Sequence, residues 1–529
     1  MTPTLPSVLA IIGFAFLIVT LTALARRLPV PTPILQVAAG LLVGLLPGSS
    51  LPTLNPDLVF FVFLPPILWS AAYGTSLRDF KTHLRSISIL AVALVLVTAL
   101  AVAVAARALM PGLPWAAAFA LGAIVSPPDA IAAEAIITRL PVPRRIVTVL
   151  GGESLVNDAS ALTLYRTAVV AAVTGYFSLG EAIVRFFIDA GIGILIGLFV
   201  GWIMLQAARL TRDTLTEVLI GLLGPYVAWV AGESLHVSAV LACVTGGLYV
   251  RQRFSTAVAP MTRIQTRAVW NLFIFLLNAV IFIILGVQFG ELMAAIPEGQ
   301  LSGVALAGLV ISGVVIAVRL LWVPALAWLP GWLRPRPGRG RPTSPRTPPA
   351  ELFLVGWTSM RGIVSLAAAF GLPLALADGS PFPHRAEMIL VTVTVIVVTL
   401  VLQGLTLAPL IRRLHFAPDR ERDAEEHYAR EEALRLAVET LEDMSRETWA
   451  RSADVGRLRE EFRDRVRRLR EGPAREHDAD CRLRAAILDA ERRGLIRLRN
   501  ENAISDDVLL ELEQELDLEA LRIGAGERR

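Results

Sequence analysis

Two neighbouring apolar stretches decide the fold of this chain. The first contains Ser126-Pro127-Pro128-Asp129, flanked on both sides by runs of alanine, leucine and isoleucine. Two consecutive prolines remove two backbone donors, and each ring clashes with the turn before it. A helix through this stretch is therefore predicted to break near its middle, with Pro127 and Pro128 at the break.

The second stretch reads Gly151-Gly152-Glu153-Ser154-Leu155-Val156-Asn157-Asp158. At 3.6 residues per turn, Ser154 and Asp158 share one helix face, and Glu153 and Asn157 share a neighbouring face. Ionisable groups inside an apolar span are costly and rare, so each is a candidate functional residue. The pattern predicts two polar stripes along one membrane-spanning helix.

The composition around these stretches is typical of a membrane protein. Of the 529 residues, 54% are hydrophobic, and long apolar runs approach the length that a bilayer requires. Cutting the runs at proline, glycine and charge predicts about thirteen spans, which begin near residues 7, 33, 57, 86, 115, 146, 182, 215, 235, 268, 301, 350 and 387. The chain is thus expected to be an all-α polytopic membrane protein.

Basic residues predict the orientation of the spans, because lysine and arginine favour the cytoplasmic side. They cluster in alternate loops: Arg26 and Arg27; Arg78, Lys81 and Arg85; Arg139, Arg144 and Arg145; Arg209 and Arg212; Arg251, Arg253, Arg263 and Arg267; and the Pro- and Gly-rich segment 334–349. This alternation places the N-terminus outside and the C-terminus in the cytoplasm. The arginines are therefore interpreted as topology signals, and no nucleic-acid partner is predicted.

Charged residues divide the chain into two regions. Residues 1–415 are poor in charge and form the predicted transmembrane domain. Residues 416–529 carry arginine and glutamate at spacings of three and four, which stabilise helices. This second region is predicted to be a cytoplasmic helical tail, either a solvated bundle or a regulatory or dimerising element.

The sequence excludes several classes of chemistry. A P-loop ends in Gly-Lys-Ser/Thr, and the single lysine of the chain, Lys81, follows Phe80. Neither His-Glu-x-x-His nor Gly-x-Ser-x-Gly is present, and the two cysteines, Cys243 and Cys481, form no ligand cluster. No enzymatic activity and no cofactor are predicted, so transport is expected to be passive or driven by an ion gradient.

A carboxylate and a hydroxyl, from Asp158 and Ser154, suit a small hard cation such as Na⁺ and do not suit a soft metal. A proton and a cation would compete for the carboxylate oxygens of Asp158. Because a bare charge is expensive to move through a low dielectric, only the loaded forms are expected to reorient, which couples the two fluxes. One titrating carboxylate predicts one-for-one, electroneutral exchange.

Glu153 needs a counter-charge, because an unpaired buried carboxylate would be protonated. The predicted partner is Arg361, since a guanidinium keeps its charge and pairs bidentately. Arg361 lies in Gly356-Trp357-Thr358-Ser359-Met360-Arg361-Gly362, whose glycines and small polar residues also predict a second broken helix. Arg319 is interpreted as a packing or snorkelling residue.

These residues resemble those of bacterial Na⁺/H⁺ exchangers in the monovalent cation:proton antiporter family, which also contains the animal sodium/proton exchangers. The resemblance covers most of the membrane region, and the combined order and spacing of its motifs are more specific than any one motif. The motifs are Leu64-Pro65-Pro66, Ser126-Pro127-Pro128-Asp129, Gly152 to Asp158, Glu233 to Ser238, Asn278 to Gly286 and Arg361-Gly362.

The resemblance implies a fold of thirteen helices with inverted repeats and two broken crossing helices, a homodimer, and alternating access. It implies that Asp158 is the cation and proton site and that Ser154 is an oxygen ligand. Asn157 would brace the crossover of the broken helices. Asp129 would position the cation or attract it.

The resemblance also implies the buried Glu153–Arg361 pair.

Two departures from the family pattern bear on the choice of ion. The third span has Trp69-Ser70-Ala71 where many relatives carry a carboxylate, and Asn278 stands where animal exchangers place a glutamate. The preference for Na⁺ over K⁺ is therefore open at this stage.

The leading interpretation is Na⁺/H⁺ antiport across the cell membrane, in the service of pH homeostasis, with K⁺/H⁺ antiport as the alternative. A cation channel is disfavoured because no repeated glycine-rich filter appears, and a transporter-like sensor because the tail carries no catalytic or phosphate-binding motif. Glu233 and His236 are assigned surface or structural roles. Arg166 and Glu217 fall within predicted spans, and either could reach an interface.

Overall fold

The computed structural model describes residues 5–28, 30–45, 56–137, 140–211, 213–295, 298–328, 348–416, 420–447, 455–471, 475–501, 508–509, 512–513 and 515–520. All structural statements concern these ranges. Arg139, Arg212 and the basic part of the predicted loop 334–349 lie outside the described residues.

The first of two compact units, Met1–Pro418, is built from helices. They are α1 (Leu5–Arg27), α2 (Thr32–Gly44), α3 (Pro56–Gly74), α4 (Leu77–Ser88), α5 (Leu94–Leu109), α6 (Trp115–Val125), α7 (Ala130–Ile137), α8 (Arg144–Thr174), α9 (Leu179–Thr211), α10 (Thr214–Ser234), α11 (Ala239–Ala257), α12 (Pro260–Ala295), α13 (Glu298–Trp328), α14 (Pro349–Trp357), α15 (Ile363–Phe370) and α16 (Arg385–Leu414). A π-helical turn, Ile89–Ala93, joins α4 to α5. The predicted all-α fold class is confirmed.

Within the described ranges, six helical segments are long and apolar enough to cross a bilayer. They are Leu77–Leu109, Leu179–Thr211, Thr214–Ser234, Pro260–Phe289, Ser302–Ala325 and Arg385–Leu414. Shorter apolar segments occur in α1, α2, α3 and α6. Helices of these lengths are those of a chain that crosses a membrane several times, whereas the count of thirteen spans stays a prediction.

Both predicted helix breaks are present. The first lies between the end of α6 at Val125 and the start of α7 at Ala130. The second lies between the end of α14 at Trp357 and the start of α15 at Ile363. Backbone groups freed at such breaks need partners inside the protein, since lipid offers none.

The helices of the first unit pack in two groups. In one group, α8 packs against α4, the π turn and α6, and α13 packs against α5, α14 and α16. In the other group, α9, α10 and α11 pack against one another, α3 packs against α10 and α11, and α2 packs against α12. The first group contains both broken helices.

The backbones of α2 and α12 lie in direct contact. A β-carbon on Gly40 would lie 2.0 Å from the carbonyl oxygen of Ile283, and one on Gly286 would lie 2.1 Å from that of Val37. Small residues allow helices in membranes to pack this closely, and van der Waals contact then stabilises the pair. Glycine is required at both positions for this geometry.

The second compact unit is Asp419–Arg529, three residues beyond the predicted division at 415/416. It contains α17 (Arg420–Met444), α18 (Val455–Glu471) and α19 (Arg475–Asn500), and α17 packs against α18. Ion pairs at helical spacing lie on the surface, such as Arg435–Glu432 at 2.6 Å and Arg465–Glu461 at 2.9 Å. The described residues of this unit are largely helical, whereas a cytoplasmic location of the tail stays a prediction.

Replacing Gly286 by alanine is expected to destabilise the protein, because the new methyl group would overlap the Val37 carbonyl. Overpacking of this kind costs about 1–3 kcal/mol. The matched control is Gly13→Ala on α1, where a β-carbon meets no atom within 4 Å. The control should be neutral or slightly stabilising, since alanine favours a helix over glycine by about 1 kcal/mol. Melting temperatures of the purified variants in detergent test this, and equal values for the two would contradict the close α2–α12 packing.

Candidate cation-binding site

Asp158 lies in the interior of α8, which carries most of the predicted site. The helix runs from Arg144 to Thr174 and ends at Gly175, whose φ of 71° is a left-handed conformation that glycine adopts without strain. Asp158 is 6% exposed, and Ser154 is half-buried one turn before it. Because α8 is continuous, their carboxylate and hydroxyl oxygens lie on one face of the helix.

The two helix breaks meet beside α8. The backbone N–H of Asp129 donates to the carbonyl of Met360 at 2.7 Å, so the first break touches the second. Asn157 Nδ2 donates to the carbonyl of Pro128 at 3.2 Å and thereby joins α8 to the first break. A β-carbon on Gly362 would lie 1.7 Å from Asp129 Oδ2, so any larger residue here would displace the Asp129 side chain. The amide of Asn157 is placed where a brace for the crossover acts.

Arg361 lies at the crossover and is 1% exposed. Its Nε donates to the carbonyl of Val125 at 2.8 Å, and its Nη2 donates to that of Ser126 at 3.1 Å. Its Nη1 contacts the carbonyl and the hydroxyl of Ser359. These carbonyls are left without helical partners where α6 ends, and the guanidinium also offsets the negative end of the helix dipole.

The buried partner of Glu153 is Arg319, on α13. Arg319 Nη2 lies 2.7 Å from Glu153 Oε2, and Nη1 contacts Oε1, so the pair is bidentate. Both side chains are 1% exposed. Arg319 Nε also donates to the carbonyl of Val355 at 3.1 Å, which attaches α14 to the pair.

The predicted Glu153–Arg361 ion pair is therefore wrong, as is the interpretation of Arg319 as a packing or snorkelling residue. Every guanidinium nitrogen of Arg361 bonds oxygens of the two breaks, which leaves the carboxylate to Arg319. One signal in the sequence pointed to Arg319: it lies more than two turns from either end of an apolar helix, where an arginine needs a buried partner.

The other predicted site residues surround the same crossover. Ser126, Pro127 and Pro128 are buried at the first break, and Asp129 is half-buried. Asp129 lies at the first break and Asp158 follows Asn157, which bonds that break, so two carboxylates lie in one small region. A region of this charge attracts cations.

The departure from the family pattern in the third span has a structural counterpart. Trp69 is 3% exposed, and a β-carbon on Gly246 would lie 2.4 Å from its Cζ3 atom. The indole therefore packs between α3 and α11. Ser70, the next residue, is half-buried and carries a hydroxyl where the family resemblance implies a carboxylate.

Sequence reasoning missed one ion pair between the site helix and the other group of helices. Arg166 Nη2, on α8, lies 2.5 Å from Glu233 Oε1 at the end of α10. The two side chains are 50% and 39% exposed, so solvent screens the pair and its contribution to stability is small. Its position makes it a contact between the two helix groups.

Residues 13–413 match the sequence pattern of the family described as "Sodium/hydrogen exchanger, transmembrane". The chain belongs to this family. The exchanger resemblance inferred from the motifs is thus confirmed, and this family consists of multi-pass membrane transporters rather than enzymes.

Two relatives match almost the whole length of this chain. It is 33% identical to a protein of Mycobacterium tuberculosis named an uncharacterized Na⁺/H⁺ exchanger, over 97% of this chain and 95% of the relative. It is 30% identical to a sodium, potassium, lithium and rubidium/H⁺ antiporter of Bacillus subtilis, over 96% of this chain and 78% of that one.

A solved structure with a similar fold is the sodium proton antiporter of Methanocaldococcus jannaschii. The TM-score is 0.55 at 19% identity, over 75% of this exchanger and 99% of the archaeal chain. The agreement concerns the fold alone.

Removing one member of the Glu153–Arg319 pair is expected to lower stability strongly, since it leaves a buried uncompensated charge, at a cost of about 3–5 kcal/mol. Glu153→Gln and Arg319→Met should each lower the melting temperature, and the double variant should lose less than the sum. The matched control, Glu432→Gln in the exposed pair of α17, should change stability by at most about 1 kcal/mol. A stronger coupling of Glu153 to Arg361 than to Arg319 in such double-mutant cycles would contradict the assigned pairing.

Proposed function

We propose that this protein is a secondary antiporter that exchanges Na⁺ for protons, with the carboxylate of Asp158 as the shared binding site. The observation that carries the proposal is the burial of Asp158 in α8 beside the contact between two broken helices. Ion sites of secondary transporters form where interrupted helices expose carbonyls and helix ends. Family membership supports the same conclusion.

Competition at one carboxylate accounts for exchange. A buried carboxylate without a positive partner is costly, so Asp158 is expected to hold either a proton or a cation. Asp158 and Ser154 offer hard oxygens that suit Na⁺, and Asp129 adds negative charge near them. The two bound forms exclude each other, and one carboxylate gives one-for-one, electroneutral exchange.

The proposal assigns support roles to the residues of the crossover. Pro127 and Pro128 interrupt the first helix, and Asn157 holds α8 against that interruption. Arg361 stabilises the carbonyls where α6 ends. The Glu153–Arg319 pair fixes the turn of α8 next to the binding site.

Exchange requires that Asp158 face one side of the membrane at a time. We propose that the helix group carrying α8 moves against the group carrying α9, α10 and α11. The wider architecture proposed is a homodimer of thirteen-span subunits with inverted repeats, an external N-terminus and a cytoplasmic tail. It rests on the alternation of basic loops and on the family resemblance.

Exchange of K⁺ is the second candidate. The relative from Bacillus subtilis is named for antiport of sodium, potassium, lithium and rubidium. With Ser70, the third span lacks the carboxylate that many relatives carry there. The negative field at the site is then weaker, and a weaker field discriminates less strongly between a small cation such as Na⁺ and a larger one such as K⁺. Both candidates use the same site at Asp158.

The decisive experiment is proton flux in proteoliposomes after a pulse of Na⁺, K⁺ or Li⁺, followed with a pH-sensitive dye. Wild-type protein should move protons on addition of the substrate cation, whereas Asp158→Asn should be silent because the amide cannot take a proton or balance a cation. The matched control is Asp378→Asn, an exposed loop aspartate, which should transport normally. Normal transport by Asp158→Asn would refute the mechanism, and the cation that drives the largest flux identifies the substrate.

A further inference from the structure

α10 and α12 lie side by side in a register that is fixed at two places. The hydroxyls of Thr214 and Thr262 lie 3.5 Å apart. A β-carbon on Gly221 would lie 3.9 Å from Nε1 of Trp270. The second contact lies about two turns beyond the first on each helix, so α10 and α12 run parallel and keep the same register between the two contacts.

Glu217 and Thr266 lie between these two contacts. Glu217 follows Thr214 at i+3 and Thr266 follows Thr262 at i+4, so both side chains project from the faces where the helices meet. Each residue is 8% exposed. Within the part of the chain that the structure describes, Glu217 Oε2 and Thr266 Oγ1 are buried and have no hydrogen-bond partner.

The hydroxyl of Thr266 differs from those of several threonines in other membrane helices, α8 and α16. Thr163, Thr167 and Thr392 donate to the carbonyl four residues earlier, at 2.8, 2.9 and 2.8 Å. Thr266 makes no such bond among the described residues. Its oxygen is thus available to a ligand at the helix interface.

Glu217 is not needed to cap α10. Asp213 holds that position, where its Oδ2 accepts a hydrogen bond from the N–H of Thr216 at 2.9 Å. The nearby Arg263 donates to the carbonyls of Ser255 and Val258, at 3.0 and 2.9 Å. Neither group supplies the buried carboxylate oxygen with a donor or a counter-charge.

We propose that Glu217, Thr262 and Thr266 form a second cation site, which holds a small hard monovalent cation such as Na⁺. A buried carboxylate requires positive charge, and a carboxylate with two hydroxyls presents the hard oxygens that such a cation prefers. The site lies in the helix group that does not contain Asp158. A cation here stabilises the α10–α12 contact and is not the transported ion.

Binding of radioactive sodium to purified full-length protein tests the proposal. Asp158→Asn removes the first site and should retain saturable Na⁺ binding above a choline background. Adding Glu217→Gln should weaken that binding at least tenfold, and adding Thr266→Val should weaken it as well. The matched control adds Glu181→Gln, an exposed carboxylate on α9, and should bind as the Asp158→Asn parent does.

Two outcomes would overturn the site. If Asp158→Asn binds no Na⁺, the pocket holds water only, and if the Glu217→Gln and Thr266→Val additions leave binding unchanged, the cation lies elsewhere. Melting temperatures identify variants that fail to fold. Because Glu217→Gln and Thr266→Val lie on different helices, the test stays valid if one of the two variants does not fold. The readout needs no transport, so a wild-type protein that binds Na⁺ at Glu217 without exchanging protons would reject the proposed antiport and leave this site standing.

Discussion

The structure depends on a problem of backbone hydrogen bonding inside a membrane. Each broken helix frees carbonyl and N–H groups where no water is available, and every freed group needs a partner within the protein. The chain meets this need by crossing the breaks, so that Asp129 donates to Met360 across the contact. Arg361 supplies further donors to the carbonyls where α6 ends. Only then can an ionisable group be held beside the crossing at a tolerable cost.

The two buried arginines of this region, Arg361 and Arg319, have different partners. Arg361 bonds oxygens of the two helix breaks, whereas Arg319 balances the buried carboxylate of Glu153. In the proposed mechanism, Glu153 therefore takes no part in the competition between protons and cations. Asp158, five residues further along α8, has no such guanidinium contact in the described structure, which supports its proposed role as the exchangeable carboxylate.

Local chemistry explains which features the sequence predicts. The Pro127-Pro128 break and the spacing of Asn157 and Asp158 follow from properties of a single helix, so they can be read without tertiary information. The partner of Glu153 lies on a distant helix, and although the position of Arg319 inside an apolar helix indicates that this arginine is paired, only the packed structure shows that Glu153 is its partner. The isolation of Glu217 Oε2 likewise depends on the register of α10 against α12, which only the packed structure fixes.

Arg319 uses all three nitrogens of one planar group, in two different directions. Two nitrogens face the Glu153 carboxylate, and the third bonds the Val355 carbonyl at a different angle. A lysine would bring the same charge as a single point and could not fill these directions at once. At this position the shape of the guanidinium matters as much as its charge. Arg319 joins α8, α13 and α14 rigidly, and even replacement by lysine would weaken this connection.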